Sequence, residues 1–311
     1  MKDYKIAFWT PGTEVTGNQQ IFGCASHGFA TESTWVEPVK GAYSVWDQSI
    51  KGMIYSGRFE QVLTELGQCN FTPRVCIAYF SKSQGAEHFI TQFRKIFPSV
   101  PMIGGGAAMG EGQSRGELYP QAEDVVVFAA AEGTYELESL NIYMQTDIEI
   151  EIRKTDERVF DQVRLLPGGK WQSAVDFYQQ QRFARGIHLE DFESLTFHDL
   201  NRRNLHCSII NDQIVTGANL PDNQSLTLCI VNRNEATRRL SEFISKEGSL
   251  VIGCAGIRSL IQEPLTTGRK TLAGFLFGVP RMLPKRRVVQ PTRVVNRAYL
   301  EGILTGIDER L

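Results

Sequence analysis

The sequence has no pair of cysteines spaced C-x-x-C. Its six cysteines, Cys24, Cys69, Cys76, Cys207, Cys229 and Cys254, are scattered along the chain, so the compact thiolate motifs of zinc and thioredoxin-type sites are missing. Histidine is scarce as well. There are five, His27, His88, His188, His198 and His206, and no cluster of Cys, Asp or Glu completes a metal set around any of them. No run approaches the roughly 18 apolar residues that a spanning helix needs. Met1–Pro11 lacks the long apolar core of a signal peptide. Charge of one sign is also absent: the formal net charge is −2, which gives no global pull toward nucleic acid or membrane. The expectation is free thiols in a reducing cytoplasm.

What is present suits a globular protein. The chain has 311 residues, 42% of them hydrophobic and 22% charged. That length predicts about two domains, divided as 1–160 and 161–311. The fold class expected is α/β, with α+β as the alternative, in two related mixed-sheet halves with flanking helices.

The clearest unit is 75–128. Val75–Phe80 is an apolar run of strand formers, and Ser81–Gly85 breaks it. Phe89, Phe93, Ile96 and Phe97 then mark one helix face, which Pro98 ends. Val100–Ile103 enters Gly104-Gly105-Gly106. Strand, helix, strand predicts two parallel strands. Asp124–Ala131 adds another buried strand, and Tyr55–Cys69 reads as a helix. The first 50 residues hold only short strand-like pieces, Lys5–Trp9 and Gln20–Ala25.

Glu132–Asp161 carries nine acids against three bases and reads as solvated surface or a connecting element. In the second half, His206–Ile210 and Ile214–Thr216 read as a hairpin about Asn211-Asp212-Gln213, followed by a strand at Leu226–Val231. A helix is expected at Glu235–Ser245, capped by Asn234, then strands at Ser249–Cys254 and Thr271–Val279 and a last helix at Val294–Gly306. Val75–Phe80 with Met102–Gly105, and Leu250–Cys254 with Leu272–Phe275, echo one another: both place small residues directly after an apolar strand.

Four constellations bear on chemistry. Gly104, Gly105 and Gly106 open a glycine-rich stretch that reaches Gly112. It lacks the Lys-Ser/Thr end of a P-loop and the G-x-G-x-x-G spacing, so the glycines serve close backbone packing or line a ligand pocket. In Leu250–Arg258, Cys254 at a strand end is either a packed thiol or a nucleophile in need of a histidine. Gly256 turns the chain there, and Arg258 offers a planar fork for carboxylate or phosphate. His198 and His206, eight apart, read as surface or capping residues, with metal or haem ligation as the alternative. Leu265–Leu300 holds eight bases and no acid. It suits an anionic partner, or pairing with the acidic stretch within the chain or between protomers. Lys285–Arg297 has no interleaved aromatic, which disfavours nucleic acid.

The order of Val75–Phe80 with Ser81, Pro101–Ala107, the hairpin His206–Thr216 with Gly217–Pro221, Cys254 with Gly256 and Arg258, and Gly274-Phe275 with Gly278 resembles the FIST (F-box and intracellular signal transduction) sensory family. The resemblance covers about 75–279. It implies a two-part intracellular α/β sensor that binds a small molecule, an amino acid or other small anionic metabolite, at Gly104, Gly105, Gly106, Cys254, Gly256 and Arg258. It implies no catalytic residue and no resident cofactor. It also implies a signalling enzyme as partner, such as a histidine kinase or a cyclic-dinucleotide enzyme, and a homodimer as one assembly. Two alternatives stand beside it: a haem-based nitric oxide sensor, as some family members are read, and a cysteine-dependent hydrolase or acyl transferase. Where the family places Gly-Glu, this chain has Gly278-Val279, so a carboxylate for a ligand amine is missing at that point.

Overall fold

The computed structural model describes residues 1–15, 20–33, 35–36, 41–82, 84–140, 142–186, 195–198, 204–205, 207–216, 220, 225–254, 264–276, 282–283, 286–287 and 292–296. Its class is mixed α/β of the α+β kind. Four helices among the described residues, α1 (Phe59–Gly67), α2 (Ala86–Ile96), α3 (Ala174–Ala184) and α4 (Arg233–Ile244), accompany three sheets. None of these helices is long and apolar enough to cross a membrane.

The first sheet has nine strands. At its centre, Val75–Phe80 lies between Met102–Gly106, its parallel neighbour, and Val125–Ala130, which runs antiparallel to it. Beyond these come Tyr43–Gly57, Lys2–Trp9 and Ile21–Ala25, the last two parallel to each other. The unbroken apolar run at 75–80 is explained by burial on both faces. Val75, Ile77 and Tyr79 face a second sheet, whereas Cys76, Ala78 and Phe80 face α1 and α2. Val62, Leu63 and Leu66 of α1 and Phe89, Ile90 and Phe93 of α2 close that outer layer, each such side chain contributing roughly 1.5–3 kcal/mol when fully buried.

The second sheet has six strands, in the order Tyr135–Ser139, Thr292–Asn296, Ser249–Cys254, Leu272–Leu276, Phe29–Ala30 and Trp35–Val36. Ser249–Cys254 and Leu272–Leu276 are parallel. Leu250, Ile252, Leu272 and Leu276 pack into the core shared with the first sheet, and Val251 and Ala273 turn to Ala236, Leu240, Phe243 and Ile244 of α4. The body of the fold is therefore layered helix, sheet, sheet, helix. Cross-links fasten the two sheets: the Trp46 indole N–H donates to Lys270 O (3.1 Å) and the Gln48 amide donates to Gly248 O (2.9 Å). The third sheet is antiparallel throughout. It is built on Met144–Asp156 and Val159–Leu165 and filled by Phe177 and Tyr178 of α3 with Ile150, Ile152, Phe160 and Val163.

Several expectations need correction. Position 160 lies inside strand Val159–Leu165, and the second sheet mixes strands from both ends of the chain. A division into 1–160 and 161–311 therefore cuts a hairpin, and the sheets are the structural units. The acidic stretch is not a connector. It forms strands in which Ile150 and Ile152 point into a core while the charged residues alternate outward. The helix expected at Val294–Gly306 begins in a strand: Thr292–Asn296 is paired on both edges, with Glu138 opposite Arg293 in backbone register. Residues 297–306 lie outside the described residues. Tyr55 belongs to strand Tyr43–Gly57, and helix α1 starts only at Phe59. The cap of α4 is Asn232, whose side chain accepts from the Glu235 N–H (3.1 Å); Asn234 is already inside the first turn.

Gly104 shows why the central strands are so lean. Its φ is +149°, and a Cβ there would overlap the carbonyl of Ala78 on the neighbouring strand. Gly104→Ala is expected to cost about 3 kcal/mol or more, because backbone, not a flexible side chain, must give way. Denaturant unfolding of the two proteins at one pH measures it.

Candidate functional site

Ligands of α/β sheets gather beyond the carboxyl ends of strands. Here Lys2–Trp9 and Ile21–Ala25 form one parallel pair and Val75–Phe80 and Met102–Gly106 another, and through Tyr43–Gly57 and Val125–Ala130 the two pairs run in opposite directions along the sheet. The segment that follows Gly106 binds them to one another. Ala107 N–H donates to Phe80 O (2.8 Å), Ala108 N–H to Ala25 O (2.8 Å) and Gly116 N–H to Ser81 O (2.7 Å), and Ala25 N–H donates to Glu117 O (3.0 Å). The carboxyl end of the second sheet lies beside them, since His27 N–H donates to Phe275 O (2.7 Å) and Phe275 N–H to Gly28 O (3.1 Å).

Over these strand ends opens a cleft of about 980 Å³, bordered among others by Trp9, Thr13, Gln113, Arg115, Glu117 and Tyr119. That is the size class of small-molecule sites. Glu117 is held from two sides: Trp9 Nε1–H donates to its Oε2 (3.1 Å) and Gly12 N–H to its Oε1 (2.8 Å). Both donors are neutral. Arg115 is turned elsewhere, donating to Glu123 O (3.0 Å) with the Glu123 carboxylate 3.9 Å away, and Arg58 also reaches that carboxylate at 2.6 Å. Lys82 pairs with Asp124 at 2.6 Å behind them.

The turn at Thr10–Thr13 forms the other lip. The two threonine hydroxyls lie 3.0 Å apart, Gly41 N–H donates to Thr13 Oγ1 (3.0 Å), and Ala42 N–H donates to Thr10 Oγ1 (3.1 Å). The lip is thus tied to the start of the long strand Tyr43–Gly57.

The residues singled out from sequence fall as follows. Gly104, Gly105 and Gly106 are not a loop. They are strand residues in register with Ala78, Tyr79 and Phe80, and none of the three lines the cleft. Gly106 does deliver the chain to Ala107, the first residue of the binding segment. Cys254 ends its strand in register with Leu276. Gly256, Arg258, Gly278 and Val279 lie outside the described residues, as do His188 and His206. His198 sits buried on a strand, with Gln145 Nε2 at 3.4 Å from its Nδ1 and the Tyr143 ring 6.2 Å away. That is a core position and not a surface or capping one. Among the described residues no three His, Cys, Asp or Glu side chains come together as a metal set.

Trp9, Arg115 and Glu117 went unnoticed in the sequence. Their signal was faint: a stretch from Gly110 to Glu117 that turns polar and charged immediately after a buried strand.

No family model matches the chain, and no curated protein matches it.

Four of the described thiols are quiet. Burial pushes Cys24, Cys76 and Cys207 well up, and Cys229 up to about 12. A thiol that stays protonated in the fold but ionises near 8.5 when unfolded stabilises the fold fully below that pH, and the contribution is lost as pH rises toward the folded value. Stability should therefore decline from about pH 9 upward, as read by thermal unfolding across pH. At pH 8 iodoacetamide should leave Cys24, Cys76 and Cys207 unmodified in the native protein and label them in urea, which mass spectrometry resolves.

Proposed function

We propose that the chain is a ligand-binding module of a sensory or signal-transduction system, taking a small molecule in the cleft above the strand ends. The observation that carries this reading is a cleft of small-molecule size at the end of strand Lys2–Trp9 with a fixed carboxylate, Glu117, in its wall. The sensory part rests on the resemblance to the FIST family in the motifs at 75–107 and 206–279.

The geometry supplies a route from binding to response. A ligand that engages Glu117 competes with the Trp9 indole and the Gly12 N–H for the same two oxygens. Loss of either bond removes one tether of the Thr10–Thr13 lip, which stays joined through Thr10 and Thr13 to Gly41, Ala42 and the strand beyond. Binding and the position of the lip are therefore coupled, as a sensor requires.

A thermal-shift screen of the full chain against amino acids, nucleotides and small organic acids and amines tests the reading. A ligand of the native state raises stability by roughly 2.7 kcal/mol at a hundredfold excess over Kd. Ser114, exposed on the border of the cleft, gives the control: Ser114→Trp places an indole in the opening and should abolish the ligand-induced shift while leaving the unliganded transition within a few degrees, about the effect of a surface change. A ligand that shifts both proteins equally binds elsewhere and overturns the reading.

A further inference from the structure

We infer that the cleft selects a small organic cation, a ligand whose amine or guanidinium docks on Glu117. This deepens the reading above and rests on it. The argument is one of charge left over. Among the described residues bordering the cleft, the charged groups are Arg115, Glu117 and Glu123. Glu123 is met by two guanidinium groups, Arg58 at 2.6 Å and Arg115 at 3.9 Å, and the backbone oxygen of Glu123 takes a further N–H from Arg115. Arg115 is thus turned toward Glu123.

Among the described residues, Glu117 has no such partner. No described cation lies within salt-bridge distance of it, and its two bonds come from an indole and a backbone amide. Those neutral donors fix the orientation of the carboxylate without cancelling its charge, and each oxygen keeps a second lone-pair direction. A half-buried carboxylate held this way costs solvation that a bound cation returns, and a charge-assisted hydrogen bond is about twice as strong as a neutral one. Thr13, Gln113, Gln121 and Tyr119 supply further acceptor oxygens along the wall, which suits a ligand rich in N–H donors. The cleft's own chemistry thus differs from the anionic ligand expected of Arg258.

Three four-carbon probes separate the choices: 1,4-diaminobutane, 4-aminobutanoate and butanedioate. Each is titrated into the full chain and followed by calorimetry and thermal shift. The diamine is expected to bind and raise the melting temperature, the zwitterion to bind more weakly and the dianion not at all. Glu117→Gln keeps the shape and one acceptor oxygen but removes the charge, and should weaken the diamine about tenfold. Glu117→Asp should restore part of that loss. Arg115→Gln, which removes a competing positive charge, should tighten it.

Butanedioate binding while the diamine stays silent overturns the inference. If Ser114→Trp also abolishes that binding, the cleft reading survives it. Diamine affinity equal in wild type and Glu117→Gln overturns the role of Glu117, and silence from all three probes overturns the choice of a cation, leaving the cleft to the broader screen. Should Glu117→Gln fail to fold by circular dichroism, the ranking of the three probes on the wild-type chain decides alone.

Discussion

Phe8 lies so close to the backbone of Gly274 that a Cβ at that position would fall 2.5 Å from two of its ring atoms. This contact sets the spacing between the first and second sheets. Around it Ile6, Phe22, Ile77, Tyr79, Ile103, Leu250, Ile252 and Leu272 fill one shared core, with Phe8 edge-on to Tyr79 at 5.9 Å and Phe22 stacked on Phe128 at 4.7 Å. Interiors packed at crystal-like density transmit small changes of volume. The separation of the sheets, and with it the alignment of their strand ends, depends on a glycine facing a ring.

That alignment is what makes a cleft available. The chain leaves Ile21–Ala25, turns through Ser26–Gly28 and enters the second sheet against Phe275, so strand ends from both sheets lie side by side. The segment from Ala107 to Glu117 then bonds to Phe80, Ala25 and Ser81 in turn. Every backbone group used there belongs to a strand end that would otherwise need water. The cleft wall is therefore held by main-chain hydrogen bonds, and its lip, at Thr10–Thr13, by main-chain bonds (Thr10 N–H to Ala42 O, 3.0 Å, and Thr13 N–H to Thr10 O, 3.1 Å) together with the two threonine hydroxyls.

Much of the architecture was readable in the chain because burial writes itself into pattern. The run at 75–80, the helix face at 89–97 and the glycines at 104–106 are there because both sides of the central strands are covered. The echo between 75–105 and 250–275 reappears as two parallel strand pairs, Ala78 beside Gly104 and Ile252 beside Gly274. Elsewhere pattern misled. The apolar face Tyr299, Leu300, Ile303 and Leu304 predicts a helix from Val294 onward, yet long-range ladder pairing on both edges makes Thr292–Asn296 a strand. The acidic stretch looked like surface because its apolar residues, Ile150 and Ile152, are outnumbered by the charges that alternate with them.

The sequence alone determined the class of the fold, the central parallel pair and the helix α4, though not its cap, because each of these follows from local periodicity and turn chemistry. Only the tertiary structure decided where a ligand has room. Trp9 and Gly12 each lie more than a hundred residues from Glu117 along the chain, and the three carry no motif. Their meeting is a consequence of sheet order and register. The same register decided between the two readings of Gly104: it is a strand residue packed against the Ala78 backbone and does not line the cleft.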